Sequence, residues 1–151
     1  MKHMSTYTIK RVHNEAEKNQ ALSVRRLVFI EEQNVPENIE VDVHDDENTA
    51  TIHVLALDGQ GEAVGAGRLR EYEPGIGKIE RVAVLSSCRS HGLGRLLMEK
   101  LEAEATENGY HTVKLNAQLQ AQPFYERLGY KPEGDTFMDA GIEHIAMVKT
   151  V

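Results

Sequence analysis

Val82-Ala83-Val84-Leu85-Ser86-Ser87-Cys88-Arg89-Ser90-His91-Gly92-Leu93-Gly94-Arg95-Leu96-Leu97 is the stretch from which the rest of the chain is read. An apolar, β-branched run passes into a polar loop and then into a helix. Leu93, Leu97 and Leu101 recur at intervals of four with Leu96 beside them, and Asn108-Gly109 supplies the stop. A helix that starts at Gly92 and Gly94 presents free backbone N–H groups at the positive end of its dipole, which favours an anion. Glycines there let a phosphate come close to the backbone, and Arg89 and Arg95 can add charge. The same glycines would also serve a plain turn. A Walker A motif is excluded, because no Gly-Lys-Ser/Thr follows, and the G-x-G-x-x-G pattern fails at Leu97.

Before this stretch, Tyr7 to Val12 alternates as a strand does. Val24, Leu27 and Val28 stand at helical spacing, so residues 15–31 read as an amphipathic helix that ends at Asn34-Val35-Pro36. Glu37 to Asn48 is acidic and reads as a loop with a short helical turn. Ile52 to Leu57, the turn Asp58-Gly59-Gln60-Gly61 and Ala63 to Tyr72 make a hairpin, which Gly75-Ile76-Gly77 joins to a third strand, Lys78 to Leu85. After the long helix come a strand from Thr112 to Ala117, a short helix from Ala121 to Leu128 closed by Gly129, a strand from Tyr130, and a last strand from Ile142 to Val148. Interleaved strands and helices place the chain in the mixed α/β class.

The 151 residues suit one domain, expected to span 1–151, with 40% hydrophobic and 27% charged residues. Residues 1–5 are expected to be disordered, and Met1 to His3 read as either native or an appended start ahead of Met4. A formal net charge of −7 makes nucleic acid and anionic membranes poor partners. No apolar run reaches the ~18 residues of a membrane span. The single cysteine, Cys88, excludes an internal disulfide framework and points to a reducing compartment, so the expected location is cytoplasmic. No Cys/His cluster has zinc spacing, and no metal is expected.

A second candidate site lies downstream, in Leu115-Asn116-Ala117-Gln118 and Ala121-Gln122-Pro123-Phe124-Tyr125-Glu126-Arg127-Leu128-Gly129-Tyr130. Phe124 and Leu128 share a helix face by their spacing of four. Tyr125 is either packing with its hydroxyl at the rim or a phenol aimed at a leaving group.

Together the two sites resemble the GNAT family of N-acetyltransferases. Arg89-x-x-Gly92-x-Gly94 matches that family's R/Q-x-x-G-x-G/A phosphate loop, and Ala121-x-x-Phe124-Tyr125-x-x-x-Gly129-Tyr130 matches its A-x-x-F-Y-x-x-x-G-F/Y element. The segment Arg25 to Pro36, followed by Asp42, Asp45 and His53, looks like a bacterial subgroup of small acetyltransferases. The resemblance implies a central mixed, mostly antiparallel sheet of about seven strands, splayed between the fourth and fifth and flanked by about four helices. It implies acetyl-CoA as donor, with the pantetheine arm on the backbone of Val82, Ala83 and Val84. It implies the pyrophosphate on Arg89, Ser90, His91, Gly92, Leu93, Gly94 and Arg95, with Asn116 and Phe124 also near the cofactor. Tyr125 would be the general acid for the departing thiolate.

The chemistry needs a proton acceptor but no enzyme nucleophile, because the amine attacks the thioester directly. Cys88 is therefore read as a bystander, and the N–H of Val84 as an oxyanion donor. Glu80, read on the same strand face as Val82, is one candidate base. His144 in Gly141-Ile142-Glu143-His144 is the preferred one, because histidine changes charge closest to neutral pH. The G-x-x-H-x-x-M ending resembles that of relatives acting on small amino acids or their analogues. Arg25 and Arg81 are candidates to hold a substrate carboxylate. The acidic stretch Glu37–Glu47 reads as a solvated loop or an attractor of a cationic amine, and His53 and His91 as structural or exposed. The expected acceptor is a small-molecule amine; a peptide or protein N-terminus, and a non-catalytic acyl-CoA-binding module, are the alternatives. A homodimer is compatible with the family but marked by no patch in the sequence.

Overall fold

The computed structural model describes residues 6–151, so the expectations for residues 1–5 lie outside the described residues. Seven strands form one sheet in the order β1-β2-β3-β4-β5-β7-β6. They are β1 (Thr8–Arg11), β2 (Ile52–Leu57), β3 (Ala63–Glu73), β4 (Ile76–Val84), β5 (Thr112–Gln118), β6 (Lys131–Asp139) and β7 (Ile142–Thr150). Every neighbouring pair is antiparallel except β4 and β5. The longer helices are α1 (Glu15–Arg25) and α3 (Leu93–Glu107); the shorter are α2 (Glu37–Glu40) and α4 (Gln122–Arg127).

Each face of the sheet takes one long helix. Leu93, Leu97 and Leu101 of α3 are buried against Val54, Ala56, Val113 and Leu115, as their four-residue spacing predicts. Burying a leucine of this kind contributes about 2 kcal/mol. Gly65 and Gly67 of β3 make the approach close, because a Cβ at either would stand 2.9 Å from a Leu97 or Leu101 methyl. On the opposite face Ala21, Val24 and Val28 pack on Leu55, Ala66 and Ala83.

The expected helix over 15–31 forms, but not as one regular element. Asn14 caps it, accepting from the Glu17 N–H at 2.8 Å. From Arg26 to Glu32 the turn widens to a π-helix, and the Gln33 N–H bonds back five residues to the Val28 carbonyl at 3.2 Å. Val24 and Val28 are buried while Leu27, read from the sequence as part of the same apolar face, is 49% exposed.

Two irregularities open the site. β4 and β5 pair only from Ile76↔Thr112 to Lys78↔Lys114; beyond that no ladder joins them and the strands part. β4 also bulges against β3: Arg68 pairs with Glu80 and Ala66 with Ala83, so Gly67 alone faces both Arg81 and Val82. Arg81 absorbs the extra residue with φ +60°. The bulge corrects the expected alternation. Glu80 lies beside Arg68 on the α1 face, whereas Val82 packs into the α3 core with Ile79.

Candidate active site

A cleft of about 510 Å³ occupies the gap where β4 and β5 part. One wall is β4 from Lys78 to Val84; Asn116 and Gln118 of β5 form the other. The widened turn supplies Val28, Phe29 and Gln33, and the β6–β7 hairpin supplies Asp139, Ala140 and His144. That hairpin turns on Ala140 and Gly141, at φ +52° and +76°. Gln118 stands opposite His144 in the β5–β7 register and donates to Gln33 Oε1 at 2.8 Å, tying β5 to the end of the π-helical turn. Gln118 was legible as lying two residues after Asn116 on one strand face. Gln33, Phe29 and the hairpin tip carry no local signal, because distant parts of the chain bring them here.

At the donor end α3 begins at Gly92, with φ +80° and no side-chain cap, so its first N–H groups are free for an anion. Space around Gly92 is open, and only its left-handed backbone calls for glycine. Gly94 has the other reason: a Cβ there would meet Phe124 Cζ at 3.2 Å, so α4 seats against the start of α3. Phe124, expected near the cofactor, is thus a packing residue outside the cleft lining. Leu93 is buried, leaving its backbone alone to serve a ligand, and Arg95 pairs with Glu99 on the surface. Arg89 donates to both carboxylate oxygens of Glu32, at 2.6 and 2.8 Å, and to the Val84 carbonyl at 3.1 Å. Ser90 turns the loop at φ +69°, and His91 is exposed. Cys88 faces a separate surface hollow with His91 and makes no contact with the cleft.

Tyr125 enters the cleft from α4, packed edge-on against Phe124 and Tyr130 at centroid distances of 5.0 and 5.9 Å. Among the described residues its hydroxyl has no hydrogen-bond partner. Burial pushes its phenol up to about 12, so it stays protonated at neutral pH. His144 stacks on Phe137 at 5.9 Å, and its Nδ1 lies 2.7 Å from the Ile142 carbonyl oxygen. A carbonyl only accepts, so Nδ1 is the donor in this contact and Nε2 is not the nitrogen it engages.

The two carboxylate-side expectations change. Glu80 lines the cleft but is no free base. Burial works against its charge, yet the hydrogen bond from Arg70 and the charges of Arg68 and Lys78 outweigh this and hold it down at about 2. Arg25 does not face the cleft at all. It is 1% exposed, with its fork on the Glu40 carboxylate at 2.9 Å and the Asp45 carboxylate at 2.7 and 3.0 Å. Nothing of it remains for a substrate. The acidic stretch is correspondingly only in part a solvated loop: Glu37, Asp46 and Glu47 are exposed, but Glu40 and Asp45 are buried, and Asp42 caps the turn that holds Asp45. Arg68, 1% exposed, bridges Asp42, Asp45 and Glu80 at 2.8 to 3.0 Å. Arg81 lies above them, donating to the Glu40 and Ile39 carbonyls at 3.1 and 3.2 Å. His53 is buried 3.9 Å from Asp45, and burial pushes it down to about 4, so it is neutral at neutral pH.

The pattern of the GNAT acetyltransferase domain matches residues 10–151, nearly the whole chain. This protein belongs to the GNAT acetyltransferase family. A GNAT relative from Bacillus subtilis strain 168, the uncharacterised N-acetyltransferase YjcF, is 44% identical over 90% of this chain and 94% of its own. An acyl-CoA N-acyltransferase from Pseudomonas aeruginosa superposes with a TM-score of 0.82 at 30% identity, over 97% of this chain and 99% of that one. An aminoglycoside 6′-N-acetyltransferase solved with coenzyme A superposes at 0.76 and 25% identity, over 95% and 96%. The chain is therefore an acyltransferase of GNAT fold. Among the described residues no helix is long and apolar enough to cross a membrane, and no group of three or more His, Cys, Asp or Glu side chains could hold a metal.

Proposed function

We propose that the protein moves the acetyl group of acetyl-CoA directly to the primary amine of a small molecule, in the cytoplasm. The observation that carries this is the unpartnered, protonated hydroxyl of Tyr125 inside the cleft between β4 and β5. The uncapped start of α3 and its glycines suit a pyrophosphate, held by backbone N–H groups from Arg89 to Arg95. Val82, Ala83 and Val84 would hold the pantetheine arm by their backbone, with Asn116 across the gap. The donor brings an activated thioester and a thiolate leaving group. Tyr125 supplies the proton that a leaving thiolate needs. His144 takes the proton from the acceptor's ammonium on Nε2, the nitrogen its bond to Ile142 leaves free. A Val84 N–H would steady developing negative charge on oxygen.

The cleft volume of about 510 Å³ favours a small acceptor over a protein chain, since the donor arm shares it. The test is thiol release from acetyl-CoA against amines, amino acids, polyamines, aminoglycosides and short peptides, with an acceptor-free blank. Release with a small amine, lost in Tyr125→Phe, is the expected result. Release with peptides alone would overturn the acceptor class. Silence throughout, with acetyl-CoA still raising the melting temperature, would favour a binding module.

A further inference from the structure

We propose that Arg81 anchors the acceptor, and that the acceptor is a primary amine which also carries an oxyanion, a carboxylate or a phosphate. This rests on the acetyl-transfer reading above and narrows it to a class of substrate.

The first ground is charge. The ion pairs beneath the cleft join five cations to four carboxylates among the described residues. Arg25 and Arg68 are enclosed, with charged oxygens on every side of their forks. Arg70 and Lys78 both lie on Glu80, at 2.9 and 3.2 Å. Arg81 is left with two carbonyls and with the longer carboxylate approaches, 3.3 Å to Glu40 and 3.4 Å to Asp42. The surplus positive charge of the network therefore falls on Arg81.

The second ground is access. Arg81 lines the cleft, and its side chain keeps 22% of its surface. Its Nη1 has no partner among the described residues, and no buried side-chain polar atom goes unpaired, so Nη1 reaches solvent. Burial and the like charges of Arg68 and Arg25 hold Arg81 below the usual arginine value, while Arg25 and Arg68 are raised by their partners. An oxyanion on Nη1 would complete the count, and the N–H groups of that nitrogen can donate to a carboxylate or a phosphate oxygen alike. The bulge at φ +60° turns this side chain out of the ladder beside the point where the strands part.

The test reads binding and turnover separately. In the coenzyme A-saturated protein, the Nε–H resonance of Arg81 is followed by NMR and assigned by its loss in Arg81→Gly. Glycine adopts φ +60° without strain, so this variant keeps its fold, and its melting temperature verifies that. The probes are the amino acids and O-phosphoethanolamine, set against the amino-acid amides and putrescine. We expect the oxyanionic probes alone to move the resonance, with carboxylate or phosphate distinguished by which arm does so. We expect kcat/KM for an acid over its amide to exceed about tenfold, to fall near unity in Arg81→Gly, and to lie between in Arg81→Lys, which keeps charge but cannot bond the Glu40 and Ile39 carbonyls and a ligand in the same geometry. Amides or putrescine turned over as well as acids would overturn the anchor and leave acetyl transfer standing. No shift with any oxyanion would overturn it whatever the turnover. A shift by acids without thiol release from any amine would leave the anchor and sink the acetyl-transfer reading.

Discussion

The Nδ1 of His144 lies 2.7 Å from the carbonyl oxygen of Ile142, two residues back on the same strand. That single contact makes Nδ1 the donor and does not engage Nε2. Glu80, the other candidate, stands beside three cations that keep it ionised and occupied. What each side chain has left to offer thus follows from what it is already bonded to.

His144→Ala should lower kcat/KM by about 10²-fold or more, the range of one general base. The measurement is kcat/KM for both proteins with the best acceptor of the panel, with the melting temperature verifying the fold. A variant of wild-type kcat/KM would exclude His144 as the base.

Tyr125→Phe should slow kcat by about 10²-fold while coenzyme A affinity changes little, since the ring that packs on Phe124 and Tyr130 is retained. Because burial lifts the phenol to about 12, the acid form persists across the ordinary assay range, and Tyr125 should impose no alkaline fall below about pH 11. Single-turnover kinetics and calorimetric titration with coenzyme A separate the two effects. Equal losses in affinity and turnover would assign Tyr125 to binding instead.

Arg25→Ala should cost about 3–5 kcal/mol of stability, because Glu40 and Asp45 would be left buried without their main counter-charge. Burial alone would raise Asp45, but the hydrogen bonds and charge of Arg25 hold it well below the usual carboxylate range. Urea denaturation measures the loss. A variant of wild-type stability with a raised KM for the acceptor would return Arg25 to the substrate site.

His53 makes stability fall on acidification. Its folded-state value is depressed, from 6.5 to about 4, so the unfolded chain takes up a proton at higher pH than the folded one. The contribution is complete above pH 6.5 and is lost as pH falls toward 4, by about 3 kcal/mol at most. Denaturation midpoints at a series of pH values should show a shallower decline for His53→Gln. Parallel curves for the two proteins would refute this account.

Much of the fold was legible because its signals are local. Leu93, Leu97 and Leu101 state a helix by their spacing, and Asn108-Gly109 states its end. The hairpin from Ile52 to Tyr72 follows from alternation around Asp58-Gly59-Gln60-Gly61. Arg89-x-x-Gly92-x-Gly94 and Phe124-Tyr125 were joined by their resemblance to the GNAT family's motifs, not by any local signal. The bulge was not legible: nothing in Lys78-Ile79-Glu80-Arg81-Val82 says that the strand takes an extra residue, because the bulge exists only against its neighbour β3. A period of two counted through it put Glu80 and Val82 on one face, which the bulge separates, although both line the cleft.

The sequence by itself determined the α/β class, the order of elements and the glycine-marked start of α3, since each rests on spacing within a few residues. Tertiary structure alone decided which charges are free. Arg25 and Arg81 read alike in the sequence, but Arg25 meets Glu40 and Asp45 across 15 and 20 residues and is closed off, while Arg81 keeps one nitrogen open. An ion's role depends on which opposite charges the fold brings within reach, and that distance is set by packing across the chain rather than by position along it.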